Sequence, residues 1–514
     1  MNAGNIQPPP RGTGQRAAGL VAFCRRWKTQ IALSFLLGGF FFLGTLMPLR
    51  TAVEIGADEG FELAKATLCL HGYKLYSQVW NDQPPLHTFL VTQALKYMSQ
   101  SVLVPRFITI CFAAFLLASI FQIARHINGL AVAALTAGLL IASPGFLTLS
   151  SSCMLEIPAL APASAALWML LLSNGRRWRL PEIAAGILFG VAFEIKLIGL
   201  TLLPLAALII WLKNRQTPDA GRRFILSAVI LAAVIVVSTI ITDLLSSGGD
   251  YLAHFQQSWS SHFANARSSE YGSPTDHPFA WVVLLRNWDA TIPALVGIVV
   301  CAFEMRQRPI AVLPAAWLAL NLTVFGLHKP WWHYYYVHTA IPLCWCAAIG
   351  LEAVFRNCVS RRRAPQWAVF VLFAGCVLSW MGGRVYLQIK TARASPQTAS
   401  SLVFTQISRF KPHTKFFYAC DPIYSFHAGI PMPPDLAVLV LKRLWAGEMT
   451  NAKIAAEMSE IQPGMVLLRN DSRPVPFQAL IRSQYNLVYE DQHHLLYVHK
   501  SILRNKAPPP TGHR

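Results

Sequence analysis

The sequence is poor in charge. Only 13% of its 514 residues are Asp, Glu, Lys or Arg, about half of the roughly 25% that a soluble domain carries. Acidic residues are the scarcer kind, 24 against 44 Lys and Arg, for a formal net charge of +20. Length alone would suggest about three soluble domains, but so few ionisable groups cannot cover their surfaces. The chain has no internal repeat and no phosphate-cradling glycine motif of the P-loop or dinucleotide type, which argues against an ATP-driven pump. Its ten cysteines form no Cys-x-x-Cys and no Cys/His spacing suited to zinc, so no metal ligands are assigned. Most of these cysteines lie inside apolar runs and read as buried or free thiols; Cys69, Cys153 and Cys420 are expected on the outer face.

What the sequence has in place of charge is apolar length. Hydrophobic residues make up 54%, and several runs reach the ~18 residues needed to cross a hydrocarbon core of ~30 Å. Spans are expected at 31–49, 103–124, 130–149, 157–173, 183–195, 197–212, 224–242, 289–303, 310–326, 336–354 and 366–383. The fifth and sixth read as a short hairpin rather than one long helix, because Glu194 and Lys196 fall between them. The run from Ile31 to Leu49 is too long for a signal-peptide core and no clear small-residue cleavage site follows it, so it reads as a membrane helix. Residues 1–30, basic and with Pro8, Pro9 and Pro10, read as a disordered cytoplasmic tail.

A basic chain first brings nucleic acid to mind, but here the cations sit in short stretches between apolar runs, as topology signals do. One set of alternate loops, the N-terminal tail included, holds about 19 Lys and Arg and the other about 8, although the second set is much longer. The N-terminus is therefore expected inside and, with an odd number of spans, the C-terminus outside. Three outer pieces follow: 50–102, 243–288 and 384–514. Within the first, Asp58–Gly72 is amphipathic and is expected to lie along the interface. The last has the composition of a soluble module, with strand-like runs at Lys415–Ala419, Met465–Leu468, Tyr485–Tyr489 and Leu495–His499, and helical segments at Pro434–Ala446 and Ala452–Ile461. The fold class is thus an α-helical polytopic membrane protein of about eleven transmembrane helices, 31–383, carrying a small extracytoplasmic α/β domain, 384–514.

With acidic residues so few, the cluster Glu54, Asp58, Glu59 and Glu62 directly after the first span is informative. A carboxylate at the membrane surface is well placed to take a proton from a substrate hydroxyl; charges that merely solvate the loop and stop the helix are the plainer account. Tyr73, Tyr76 and Trp80 have the look of interfacial anchors, and Pro84 and Pro85 set Asp82 and Gln83 on a fixed turn.

The ordered set Asp58-Glu59-Gly60, Ala64, Gly72, Leu75-Tyr76 and Gln83-Pro84-Pro85-Leu86 resembles the first outer loop of GT-C glycosyltransferases. More narrowly, it resembles the dolichyl-phosphate-mannose–protein mannosyltransferase-like branch that includes the aminoarabinose transferases. Further stretches follow in order: Arg106 at the second span, Glu156-Ile157-Pro158-Ala159 after the third, Lys196 after Gly190-Val191-Ala192, and the run from His328 to Tyr336. The resemblance covers about residues 30–355. It implies a transferase that takes a sugar from a polyprenyl-phosphate donor at the outer face of a cell membrane, a bacterial inner membrane by the branch resembled. The acceptor is a lipid, glycan or protein hydroxyl. The catalytic base falls on Asp58, with Glu59 and Glu156 beside it. Arg106, Lys196, His328, Lys329 and His333 are expected at the donor phosphate, and Tyr76, Asp82 and Tyr335 at the acceptor or pocket wall. The resemblance carries no cofactor beyond, at most, a divalent metal. In the aminoarabinose transferases an acidic-Lys-Pro triplet stands where this chain has Asp82-Gln83-Pro84, so phosphate binding has to come from elsewhere.

Two other classes compete. A transporter or flippase should show mid-span polar residues and repeated halves, and this chain has few of the first and none of the second. A polysaccharide polymerase or ligase should centre on a large late loop, whereas the acidic cluster here is in the first.

Overall fold

The computed structural model describes residues 13–172, 179–247, 253–254, 256–260, 271–361, 366–394, 402–471 and 474–504. Seven helices are long and apolar enough to cross a membrane: Trp27–Leu46, Leu103–Asn128, Leu197–Asn214, Ala220–Ser246, Pro309–Leu327, His333–Cys358 and Trp367–Ala394. Shorter apolar helices, Leu130–Ala142, Glu156–Leu172 and Leu180–Phe193, pack among them. With Trp288–Glu304, a helix occupies each stretch expected as a span. The chain is a multi-pass membrane protein.

In chain order the first half runs α1 (Thr13–Leu46), α2 (Glu59–Leu70), α3 (Leu86–Tyr97), α4 (Leu103–Asn128), α5 (Leu130–Ala142), α6 (Phe146–Ser150), α7 (Glu156–Leu172), α8 (Leu180–Phe193), α9 (Leu203–Asn214) and α10 (Ala220–Ser246). The start of α1 differs from expectation. It runs back through much of the stretch read as a disordered tail, where Ala17, Ala18 and Leu20 are good helix formers. Residues 1–12, Arg176 and Arg177, Arg362 and Arg363, and residues 248–252, 255 and 261–270 of the loop 243–288 lie outside the described residues. The break expected at Glu194 to Lys196 is present: α8 ends at Phe193 and a 3-10 turn, Leu197–Leu202, leads into α9.

Large apolar side chains such as Phe121, Phe189, Trp317 and Trp345 fill the interior between spans. Two glycines let a pair of helices touch backbone to backbone. A Cβ on Gly297 would lie 1.9 Å from the carbonyl oxygen of Cys346, and one on Gly350 would lie 2.0 Å from that of Pro293. Any larger residue at either place must push Trp288–Glu304 away from Tyr336–Arg361.

The tail is the expected α/β module. Its four strands are β1 (Phe417–Ala419), β2 (Met465–Arg469), β3 (Tyr485–Glu490) and β4 (His494–His499), in the order β1-β2-β4-β3. β1 runs parallel to β2; β2 and β3 both pair antiparallel to β4. The helix expected over Pro434–Ala446 is broken into a 3-10 turn, Pro434–Leu436, and a short helix, Leu441–Trp445. The helix Asn451–Ile461 is as expected, with the Thr450 hydroxyl accepting from the Lys453 N–H at its start.

The larger correction concerns α2. It does not lie along an interface; nine of its twelve residues are buried. Leu63 and Ala66 pack in one core with Ile423 and Phe426 of the tail module, and Ala64 and Leu68 in another with Met432 and Val438. Gly60 makes this fit, since a Cβ there would sit 2.9 Å from the Ile423 amide nitrogen. The polar side of α2, amphipathic to the eye, is turned inward against other buried polar groups, Asn81 and His87 among them. Trp332 stacks on Trp445 with ring centroids 6.2 Å apart, and the Trp80 indole donates to Glu448 at 2.6 Å. These contacts hold the module over the first loop.

Candidate active site

Between the first loop, the tail module and the start of the helix at His333 lies a cavity of about 1030 Å³. Asp58 lines it. This residue precedes α2 directly, yet its side chain makes no capping bond. Instead the carboxylate faces the Tyr334 hydroxyl, which shares the cavity wall with it. Burial holds the Asp58 carboxyl above the usual range; the Tyr334 hydroxyl opposes this, the Glu156 charge adds to it, and Lys196 offsets part of it.

Lys196 enters the same cavity from the α8–α9 turn. Its ammonium is paired with Glu156 and lies 5.7 Å and 5.2 Å from the ring centroids of Tyr334 and Tyr335. Burial works against its charge, but Glu156 more than offsets that and raises the ammonium pKa. Glu156 itself is buried outside the cavity lining, and its Oε2 has no hydrogen-bond partner among the described residues.

The floor is the inward side of α2. Lys65 Nζ lies 2.8 Å from Glu62 Oε1 and 2.9 Å from Asn81 Oδ1. His87 Nδ1 stands 3.5 Å from Glu62 Oε2. Burial opposes the Glu62 charge, but Lys65 and His87 prevail and hold the carboxyl below its ordinary range. On the far wall Asp82 accepts from Gln83 Nε2 at 2.9 Å and from Lys442 Nζ at 3.2 Å. Lys442, Arg469 and Arg482 all come from the tail module and line the cavity. Burial opposes the Lys442 charge, and Asp82 restores it and raises its pKa.

The residues singled out from sequence divide into two groups. Asp58, Lys196, His333, Asp82 and Tyr335 meet in the cavity, with Glu156 behind Lys196. Glu59, Arg106, Tyr76, His328 and Lys329 do not line it. Arg106 is fully buried and its bonds are taken: it donates to Glu59 Oε1 at 2.8 Å and Oε2 at 2.7 Å, and to the carbonyls of Leu49, Ala52 and Val53. Glu59 also accepts from the Ile55 and Cys153 amides at 2.8 Å and 3.0 Å. This pair pins the first loop to α4, and neither member lines the cavity. Tyr76, at φ +71°, donates to the Gln83 carbonyl at 2.8 Å and shapes the turn behind Asp82. His328 and Lys329 are exposed beside the cavity.

Sequence reasoning gave no site role to Tyr334, to the Glu62–Lys65–His87 group or to Lys442. Only the Glu62/Lys65 spacing of three on a helix gave a local signal; nothing along the chain links Lys442 to Asp82. A second cavity, about 930 Å³ and mostly apolar, lies between α8, α9 and α10 and opens beside Pro84 and Glu194.

Residues 68–247 match the family model described as dolichyl-phosphate-mannose-protein mannosyltransferase. Comparison with curated proteins found no match. The fold is similar to that of ArnT from Cupriavidus metallidurans bound to undecaprenyl phosphate, with TM-score 0.64 and 15% identity over 91% of this chain and 98% of that one. It is also similar to the oligosaccharyltransferase AglB from Archaeoglobus fulgidus, in complex with an inhibitory peptide and a dolichol-phosphate. There the TM-score is 0.56 and the identity 12%, over 86% of this chain and 70% of that one. In fold the chain is similar to these multi-pass membrane structures, and the family model covers about a third of it.

Proposed function

We propose that this chain is an inverting glycosyltransferase that moves a sugar from a polyprenyl-phosphate donor to a hydroxyl acceptor at the outer face of the membrane. The observation that carries the reading is the Asp58 carboxylate in the cavity, beside Tyr334 and Lys196 and kept basic by burial. Asp58 takes the proton of the acceptor hydroxyl. The acceptor oxygen forms a bond to the anomeric carbon from one side while the bond to the phosphate oxygen breaks on the other. The phosphate leaves as an anion, with a second pKa near 6, and needs no general acid. It needs cations fixed in advance where the charge develops.

Lys442, Lys196 and His333 line the cavity and supply that charge. Lys442 answers the question raised by Gln83. The loop brings no lysine of its own, and the tail module lends one to the same turn through Asp82. Glu156 orients Lys196, and Tyr335 supports its ammonium from one side. The polyprenyl tail lies in the apolar cavity between α8, α9 and α10. The binding of undecaprenyl phosphate by ArnT supports a donor of this kind. The outward orientation rests on the distribution of basic loops.

The test is sugar transfer from a panel of polyprenyl-phosphate sugars by the full chain in lipid nanodiscs. Asp58→Asn is expected to lower kcat by about 10²–10⁴-fold, the usual worth of a positioned base, without lowering the melting temperature. Full turnover in a folded Asp58→Asn protein would remove Asp58 as the base.

A further inference from the structure

Away from the reaction cavity, three ligand-bearing side chains from separate elements converge at the mouth of the apolar cavity. Glu194 comes from the α8–α9 turn, Asp243 from the last turn of α10, and His254 from the outer segment that follows. One ligand atom from each lies within 4.8 Å of the others. Glu194 is 3% exposed and His254 7%. His254 Nδ1 stands 2.8 Å from Asp243 Oδ1. Among the described residues, Glu194 Oε2 and His254 Nε2 have no hydrogen-bond partner. The described lining of this cavity contains no Lys or Arg. Two carboxylates and an imidazole thus share an apolar enclosure with no Lys or Arg among the described lining, an arrangement of unpartnered buried polar atoms that burial disfavours unless a counter-charge enters.

We propose that Glu194, Asp243 and His254 bind one divalent transition metal, zinc in preference to magnesium. One imidazole nitrogen and two carboxylate oxygens suit zinc, which accepts mixed nitrogen and oxygen ligands in a tetrahedron. Magnesium prefers six oxygen ligands and keeps much of its water. Three protein ligands leave one tetrahedral position for an oxygen ligand from the cavity.

The surroundings hold the ligands in place. The His254 ring stacks on Tyr76 at 4.9 Å between centroids, and the Glu194 carbonyl accepts from the Leu86 N–H at 3.1 Å. The metal would fasten the α8–α9 turn, the end of α10 and the outer segment to the loop that carries Asp82. Its ligands are spaced 194, 243 and 254 along the chain, which matches no zinc motif. The inference does not depend on the role given to Asp58.

The experiment uses the tag-free full chain in nanodiscs, stripped with a chelator, then loaded with zinc chloride in millimolar magnesium and passed through gel filtration. Bound metal is read by mass spectrometry. One zinc per chain is expected, together with a zinc-dependent rise in melting temperature. His254→Gln and Glu194→Gln should each weaken zinc binding at least tenfold and abolish that rise, while Asp58→Asn binds as the unaltered chain does. Two variants are used so that misfolding of one leaves the other to decide. No retained zinc in the unaltered chain, or zinc displaced by magnesium, would overturn the proposal, as would undiminished binding in a folded variant.

Discussion

Glu59 and Asp58 are adjacent carboxylates with opposite consequences when neutralised. Glu59 accepts four hydrogen bonds, two of them from Arg106, and both side chains are sealed from solvent. In Glu59→Gln the guanidinium stays buried without its counter-charge, and one end of the amide presents N–H groups where acceptors are required. Breaking a buried pair on one side costs about 3–5 kcal/mol. With an unfolding entropy of ~2.1 cal/mol/K per residue over 514 residues, that lowers the melting temperature by roughly 3–5 °C if the chain melts as a unit. The assay is thermal melting in nanodiscs, followed by tryptophan fluorescence, on Glu59→Gln, Arg106→Met and the double variant. Removing both charges should cost clearly less than the sum of the single losses. Asp58→Asn should melt no lower than the unaltered chain, because burial already disfavours the Asp58 charge. A Glu59→Gln protein that melts within a degree of the unaltered chain, or additive losses in the double variant, would refute the assignment of this pair to anchoring the loop.

Glu54 gives a pH signature. Burial, with Glu59 next, pushes its carboxyl up to about 8; a raised folded-state value means stability is full below the ordinary range near 4.5 and is lost as pH rises through 8. Melting temperature should therefore fall between about pH 4.5 and pH 8 and level off above, and Glu54→Gln, which keeps an acceptor for the Gly60 N–H, should flatten that fall; equal slopes would refute the assignment. Lys442→Met should raise the KM for donor by about 10–100-fold, the 1.5–3 kcal/mol of a charge-assisted hydrogen bond, with Lys442→Arg recovering part of it. Initial-rate kinetics check this, and an unchanged KM removes Lys442 from the donor site.

The membrane part of the fold was legible because apolar length is a one-dimensional signal: runs such as 103–124 and 224–242 needed no partner to be read. The strands of the tail were legible for a similar reason, as short β-rich runs between turns. The orientation of α2 was not. Its polar positions pointed to water by pattern, and only the arrival of Ile423 and Met432 more than 350 residues later turns it into an interior helix. Among site residues, those on the membrane side of the cavity were found by their order along the chain. That Arg106 pairs with Glu59 and does not line the cavity could not be read from sequence, because an arginine at a span end looks alike whether it faces phosphate or a carboxylate. Lys442 was missed because its meaning comes from Asp82, 360 residues away.

The two halves of the cavity are made at opposite ends of synthesis. Asp58 and its loop emerge with the first hundred residues, whereas Lys442, Arg469 and Arg482, which roof them, come in the last hundred. Until the tail folds onto Gly60 and Trp80, the carboxylate faces open water and the buried polar side of α2 has no cover. On the proposed function, a nascent chain with every span already inserted lacks the roof of its cavity. Competence arrives all at once, when the final strands close over a loop that has waited since the beginning.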